Sequence, residues 1–221
     1  MYLFRNCLNS QAKAKVCGLA RKADIDDCIR LKVDALGFLL GDAKGRYPTD
    51  KLTVDEAADL VNYVNRRTKS VLLVKSINAQ EITELLKFIK PDVVQLQHEA
   101  LNPTVLADLK EYFPSIEWIK TVKIQPDEQA ILLDSYKPGA GVSPDWVQCK
   151  IVAEYMKSQS IPYVLAGGLN PLNVTEALRY FESFTPRMVD VMSGVSTGRG
   201  TGIKDISAVA KFVAAVHQFN S

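Results

Sequence analysis

Two side chains in this sequence stand where chemistry would need them: the thiol of Cys17, in "KVCGL", and the carboxylate of Asp134, in "AILLDSYKPGAGVSPDW". Each lies at the C-terminal end of an apolar run. A thiol and a carboxylate facing one another across a cavity can serve as general base and general acid, if their surroundings move their pKa values in useful directions. A nearby cation favours the thiolate, and burial keeps a carboxyl protonated. Each residue also has a structural reading, Cys17 as a small core residue and Asp134 as the former of a turn through Pro138, Gly139 and Gly141. Two further stretches, "LAGGLNP" with Gly167 and Gly168 and "MSGVSTGRGTG" with Ser193 and Gly194, end apolar runs in small residues. Backbone amides in such loops can approach an anion closely, and the two loops together point to a phosphate site rather than to two tight turns.

These residues must be held by regular elements. Eight apolar runs read as strands: 15–19, 35–40, 70–76, 93–97, 117–124, 130–135, 163–169 and 189–195. They are continuously apolar rather than alternating, as expected of parallel strands covered on both faces. Helical patterns separate them, with start signals at Asp24, Thr53, Asn78, Asn102 before Pro103, and Ser143 before Pro144. Only "QPDEQ", after the fifth run, is too short for a full helix. Strict alternation predicts a parallel sheet, and eight units without a linker predict an α/β fold, a single-domain (β/α)8 TIM barrel over 1–221, with 1–14 as a short N-terminal tail. An open doubly wound sheet is the alternative. In the barrel the chemistry belongs at the C-terminal strand ends, which confines the search to Cys17, Arg46, Gln95, Gln97, Lys123, Asp134, the two glycines and 190–195.

Composition excludes other classes. A net charge of +2 gives no reason to expect nucleic acid or an acidic membrane surface as partner, and no apolar stretch approaches the ~20 residues that span a bilayer. The first residues lack the apolar length of a secretory signal, and the four cysteines show neither paired nor zinc-type spacing, which points to the cytoplasm. With only His98 and His217, a histidine triad is not expected. Cys28 and Cys149 fall in helices as buried fillers, and His217 on a surface. There is no dinucleotide fingerprint and no P-loop.

"KVCGL", "GFLL" followed by "KGRYPT", "VVQLQHE", "ILLDS", "AGGLNPLNV", "VDVMSGV" and "GIKD" occur in an order that resembles the phosphoribosylanthranilate isomerases of tryptophan biosynthesis. The resemblance runs from Lys15 to the last helix and implies a (β/α)8 barrel without cofactor or metal. It implies a small phosphorylated substrate and a monomer or homodimer. Residue by residue it makes Cys17 the general base and Asp134 the general acid. Arg46 would be the clamp on the anthranilate carboxylate, Gln95 and Asp190 further substrate contacts, and Gly167, Gly168, Ser193 and Gly194 the phosphate site. Departures cluster at the same face: the loop after Asp134 lacks paired glycines, Gln97 replaces a histidine, Ser196 replaces a glutamate, and Lys44, Lys75 and Ser76 are atypical. A barrel isomerase or binder for another phosphorylated sugar or aminosugar is therefore the alternative function.

Overall fold

The computed structural model describes residues 3–4, 11–41, 51–75, 78–96, 102–121, 131–133, 146–198 and 201–221. The elements in chain order are β1 (Lys13–Val16), α1 (Lys22–Arg30), β2 (Ala35–Leu40), β3 (Lys51–Leu52), α2 (Val54–Val64), β4 (Lys69–Val74), α3 (Ala79–Ile89) and β5 (Val93–Leu96). There follow α4 (Pro103–Tyr112), β6 (Glu117–Thr121), β7 (Ile131–Leu133), α5 (Trp146–Ser158), β8 (Tyr163–Leu165), α6 (Val174–Tyr180), β9 (Met188–Val191) and α7 (Ile206–Phe219). Every ladder among them is parallel, and β1 pairs with both β2 and β9, so the sheet closes on itself as a (β/α)8 barrel. All eight expected strands are present. The ninth, β3, is a two-residue addition to the end of β2. The Ser143 helix start and the "QPDEQ" connection lie outside the described residues, as do Arg46, Gln97, Lys123 and Asp134.

Strand periodicity divides the interior in two. Ala14, Val16, Leu36, Phe38, Leu72, Val94, Trp118, Leu165 and Val189 face outward and pack in one apolar layer with the helices. Cys17, Ala35, Leu39, Val71, Leu73, Val93, Ile119, Val164, Ala166 and Met188 face inward as a second cluster inside the barrel. The helices start largely where the caps predict. Thr53 accepts from the Glu56 N–H at 3.2 Å while Glu56 accepts from the Thr53 N–H at 2.8 Å, a reciprocal capping box. Asn78, Asn102 and Asp205 cap α3, α4 and α7. Asp24 is a correction: α1 begins at Lys22, and Asp24 is buried inside its first turn, where it accepts the Lys204 N–H at 3.2 Å.

The expected tail is likewise not a mere leader. β1 starts at Lys13, and Leu3 and Phe4 are buried in the inner cluster at the N-terminal end of the barrel. Glu117, at the start of β6, turns its carboxylate onto them and accepts the Leu3 N–H at 2.7 Å and the Phe4 N–H at 2.9 Å. Arg187 holds the Leu3 carbonyl at 2.8 Å. Buried amides left without an acceptor are costly, and bonds to a charged acceptor are worth more than neutral ones. Glu117→Ala should therefore lower the unfolding free energy by about 3 kcal/mol in urea titration; a loss within error of zero would show that these residues do not close the barrel floor.

Candidate active site

Cys17 sits one residue past β1, on the inward face. Its N–H donates to the Val191 carbonyl at 2.9 Å, and the Leu19 N–H donates to the Gly37 carbonyl at 3.0 Å, so both neighbouring strands pin the turn. The sulfur needs Gly37: a Cβ there would lie 2.8 Å from Sγ. Gly18 takes a left-handed φ of +71°, which lets the chain leave the strand against Met192.

Two residues before Cys17, on the same face, Lys15 is wholly buried, and its Nζ donates to Asp190 Oδ2 at 2.6 Å. The two are direct register partners on β1 and β9. Burial works against the Lys15 ammonium, but the Asp190 carboxylate and the Cys17 sulfur outweigh it and hold the amine above its ordinary value. Burial pushes the Cys17 thiol up and Asp190 adds to this, while Lys15 and the buried Lys204 pull in the opposite direction. The second oxygen of Asp190, Gln95 Oε1 and Thr121 Oγ1 are buried and have no hydrogen-bond partner among the described residues. By strand alternation Gln95 shares its face with Val93, and Thr121 with Ile119, so all three oxygens face the barrel interior. The result is a polar floor of acceptors around one thiol and one ammonium.

The loops after β8 and β9 pack on each other. Gly167 and Gly168 both have positive φ, +85° and +62°. Asn173 ties the first loop: its Oδ1 accepts the Asn170 N–H at 2.8 Å and its Nδ2 donates to the Gly168 carbonyl at 3.0 Å. After β9, Ser193–Val195 form a single 3-10 turn. A Cβ on Gly194 would stand 2.0 Å from the Leu169 carbonyl oxygen, so only glycine lets the two loops meet. Beyond them Ser196 pairs with Lys204 in an antiparallel bridge, and the Lys204 Nζ donates to Ser196 Oγ at 3.2 Å.

The structure thus brings together Cys17, Asp190 and Gln95 in the barrel interior, and places Gly167, Gly168, Ser193 and Gly194 in the two loops that follow β8 and β9. Lys15 and Lys204 were not singled out by the sequence reading. A lysine at the edge of an apolar run reads as a solvated flank, although its spacing of two from Cys17 was the available signal. Cys28 and Cys149 are buried as expected, with Cys28 pushed up to about 12 by burial, and His217 is exposed. At the opposite end of the barrel a broad groove carries many cations, but Lys13, Lys69 and Arg67 are paired there with Asp34, Asp92 and Asp26. That end serves stability in barrels of this architecture.

Residues 14–215 match the family model described as N-(5'phosphoribosyl)anthranilate (PRA) isomerase. The chain belongs to the PRA isomerase family. A PRA isomerase of Haloarcula marismortui is 33% identical, covering 93% of this chain and 96% of its own. One from Streptococcus pneumoniae is 31% identical, covering 92% and 95%. The solved PRA isomerase of Thermotoga maritima shares the fold at a TM-score of 0.76 and 23% identity, over 94% of this chain and all of that one. The open-sheet alternative is thereby set aside.

Gly194→Ala should lower the unfolding free energy by about 1–3 kcal/mol, since the two loops must part to admit the methyl group. Ser193→Ala, which adds no atoms, should leave it unchanged in the same titration.

Proposed function

We propose that this protein catalyses the Amadori rearrangement of N-(5-phosphoribosyl)anthranilate to 1-(o-carboxyphenylamino)-1-deoxyribulose 5-phosphate, the isomerase step of tryptophan biosynthesis, by general acid and base catalysis in the cytoplasm. The observation that carries the reading is Cys17 at the head of a buried polar floor, in a chain matched to this family over nearly its whole length. No helix among the described residues is long and apolar enough to cross a membrane.

The steps balance without an outside reductant or oxidant. The acid donates a proton to the ring oxygen as the C1–O bond breaks, leaving a protonated imine. The Cys17 thiolate takes the proton from C2, and the electron pair of that C–H bond forms the C1=C2 double bond of an enolamine, neutralising the nitrogen. Protonation at C1 and loss of the C2 hydroxyl proton give the ketone. Asp134 is the acid and Arg46 the carboxylate clamp on sequence grounds, a guanidinium fork suiting that planar anion. Asp190 Oδ1 and Gln95 Oε1, without a partner among the described residues, would accept from substrate hydroxyls or the anilino N–H. The amides around Gly167, Gly168, Ser193 and Gly194 take the phosphate, in two loops that Gly194 lets meet.

Expression of the wild-type chain should restore growth without tryptophan to a strain lacking this isomerase, and Cys17→Ala and Asp134→Asn should not. In purified form each variant should lose about 100-fold or more in kcat with KM changed far less, the signature of proton-transfer groups. Turnover that survives both substitutions would remove these two residues from the mechanism.

A further inference from the structure

We propose that Lys15 is a positioning residue for this reaction: clamped by Asp190 across the seam of the barrel, its ammonium stabilises the Cys17 sulfur as the anion that removes the proton. The inference rests on the reading of Cys17 as the base.

A buried lysine paired to one carboxylate is a poor way to join two strands. Ion pairs out of water regain little beyond their desolvation cost, and an apolar pair of similar volume closes a sheet as well. On its other side Lys15 is level with Ala35 of β2, an apolar neighbour that offers it no partner. Its position gives it another use. Lys15 lies on β1 and Cys17 directly follows its last residue, continuing the ladder to Val191, so the two, two residues apart, both project inward. Asp190 is level with Lys15 on the next strand and holds its Nζ at 2.6 Å. That bond fixes the ammonium and keeps it charged, while lysine has further donor hydrogens to offer the sulfur.

Among the described residues three charged groups act on Cys17. Lys15 favours its ionised form, Asp190 disfavours it less strongly, and Lys204, reaching in from the connection before α7, favours it weakly. The Lys15 and Asp190 pair as a whole therefore favours the thiolate. When the sulfur takes the C2 proton it becomes neutral, and the ammonium is left to Asp190 alone. The charged partner is present before the reaction and needs no rearrangement during it.

The double variant Lys15→Met with Asp190→Asn replaces the pair by neutral groups of similar size and leaves no unpaired buried charge. Its fold is checked by circular dichroism, and the NMR resonance of the Cys17 Cβ is followed against pH in the free enzyme. The Cys17 titration should move to higher pH than in wild type. The acid limb of kcat/KM should move with it, lowering kcat/KM near pH 7 about tenfold or more and recovering as pH rises. Lys15→Arg, which keeps the cation, should leave the limb in place. A Cys17 titration unmoved or lowered in the folded double variant overturns the proposal, as does a limb displaced as far by Lys15→Arg. Full activity of Cys17→Ala would instead remove the thiol as base while leaving the titration result intact, so the two failures are distinguishable.

Discussion

The contact between Lys15 and Asp190 is where architecture and chemistry meet. β1 and β9 are the first and last strands of the chain, and their ladder closes the barrel. The one ion pair inside that seam among the described residues lies directly below Cys17. Removing one member of a buried pair costs about 3–5 kcal/mol, because the other is left as an uncompensated charge. The seam is thus strongly specified in register, since a slip of β1 by one residue would turn Lys15 and Cys17 to the apolar outer layer and leave Asp190 without its partner.

From that constraint the division between the two ends follows. At the N-terminal end, polar groups are spent on closure: Glu117 receives the backbone of Leu3 and Phe4, Asp34 the Ala14 N–H, and Asp92 the Ser70 N–H. At the C-terminal end, acceptors on Asp190, Gln95 and Thr121 have no partner among the described residues, and glycines let the loops after β8 and β9 meet. The same alternation of inward and outward side chains that builds the core presents these groups to the cavity.

Much of this was legible in the sequence. Continuous apolar runs marked all eight barrel strands, because strands covered on both faces leave no polar alternation to confuse them. Thr53, Asn78 and Asn102 marked helix starts, because their side chains satisfy amides that the helix cannot. β3 escaped notice because two residues carry no period. Asp24 resembled a cap, but its carboxylate is committed to the Lys204 backbone, a partner 180 residues away. Leu3 and Phe4 lacked any local signal, since their anchor is Glu117 on the other side of the chain. Lys15 was hidden for a related reason: what makes it functional is Asp190 opposite, and sequence spacing reports only neighbours on the same element. The pairing of Cys17 with Asp134 was read from strand order, and Asp134 and Arg46 lie outside the described residues.

The account's central claim is that this barrel turns over N-(5-phosphoribosyl)anthranilate with its own side chains. The most direct measurement is the loss of substrate fluorescence when freshly prepared compound is added to the purified wild-type chain in a chelator-treated buffer. Enzyme-concentration-dependent loss, with the aminodeoxyribulose phosphate as product, is the predicted result. A rate no greater than spontaneous decay of the substrate would contradict the account.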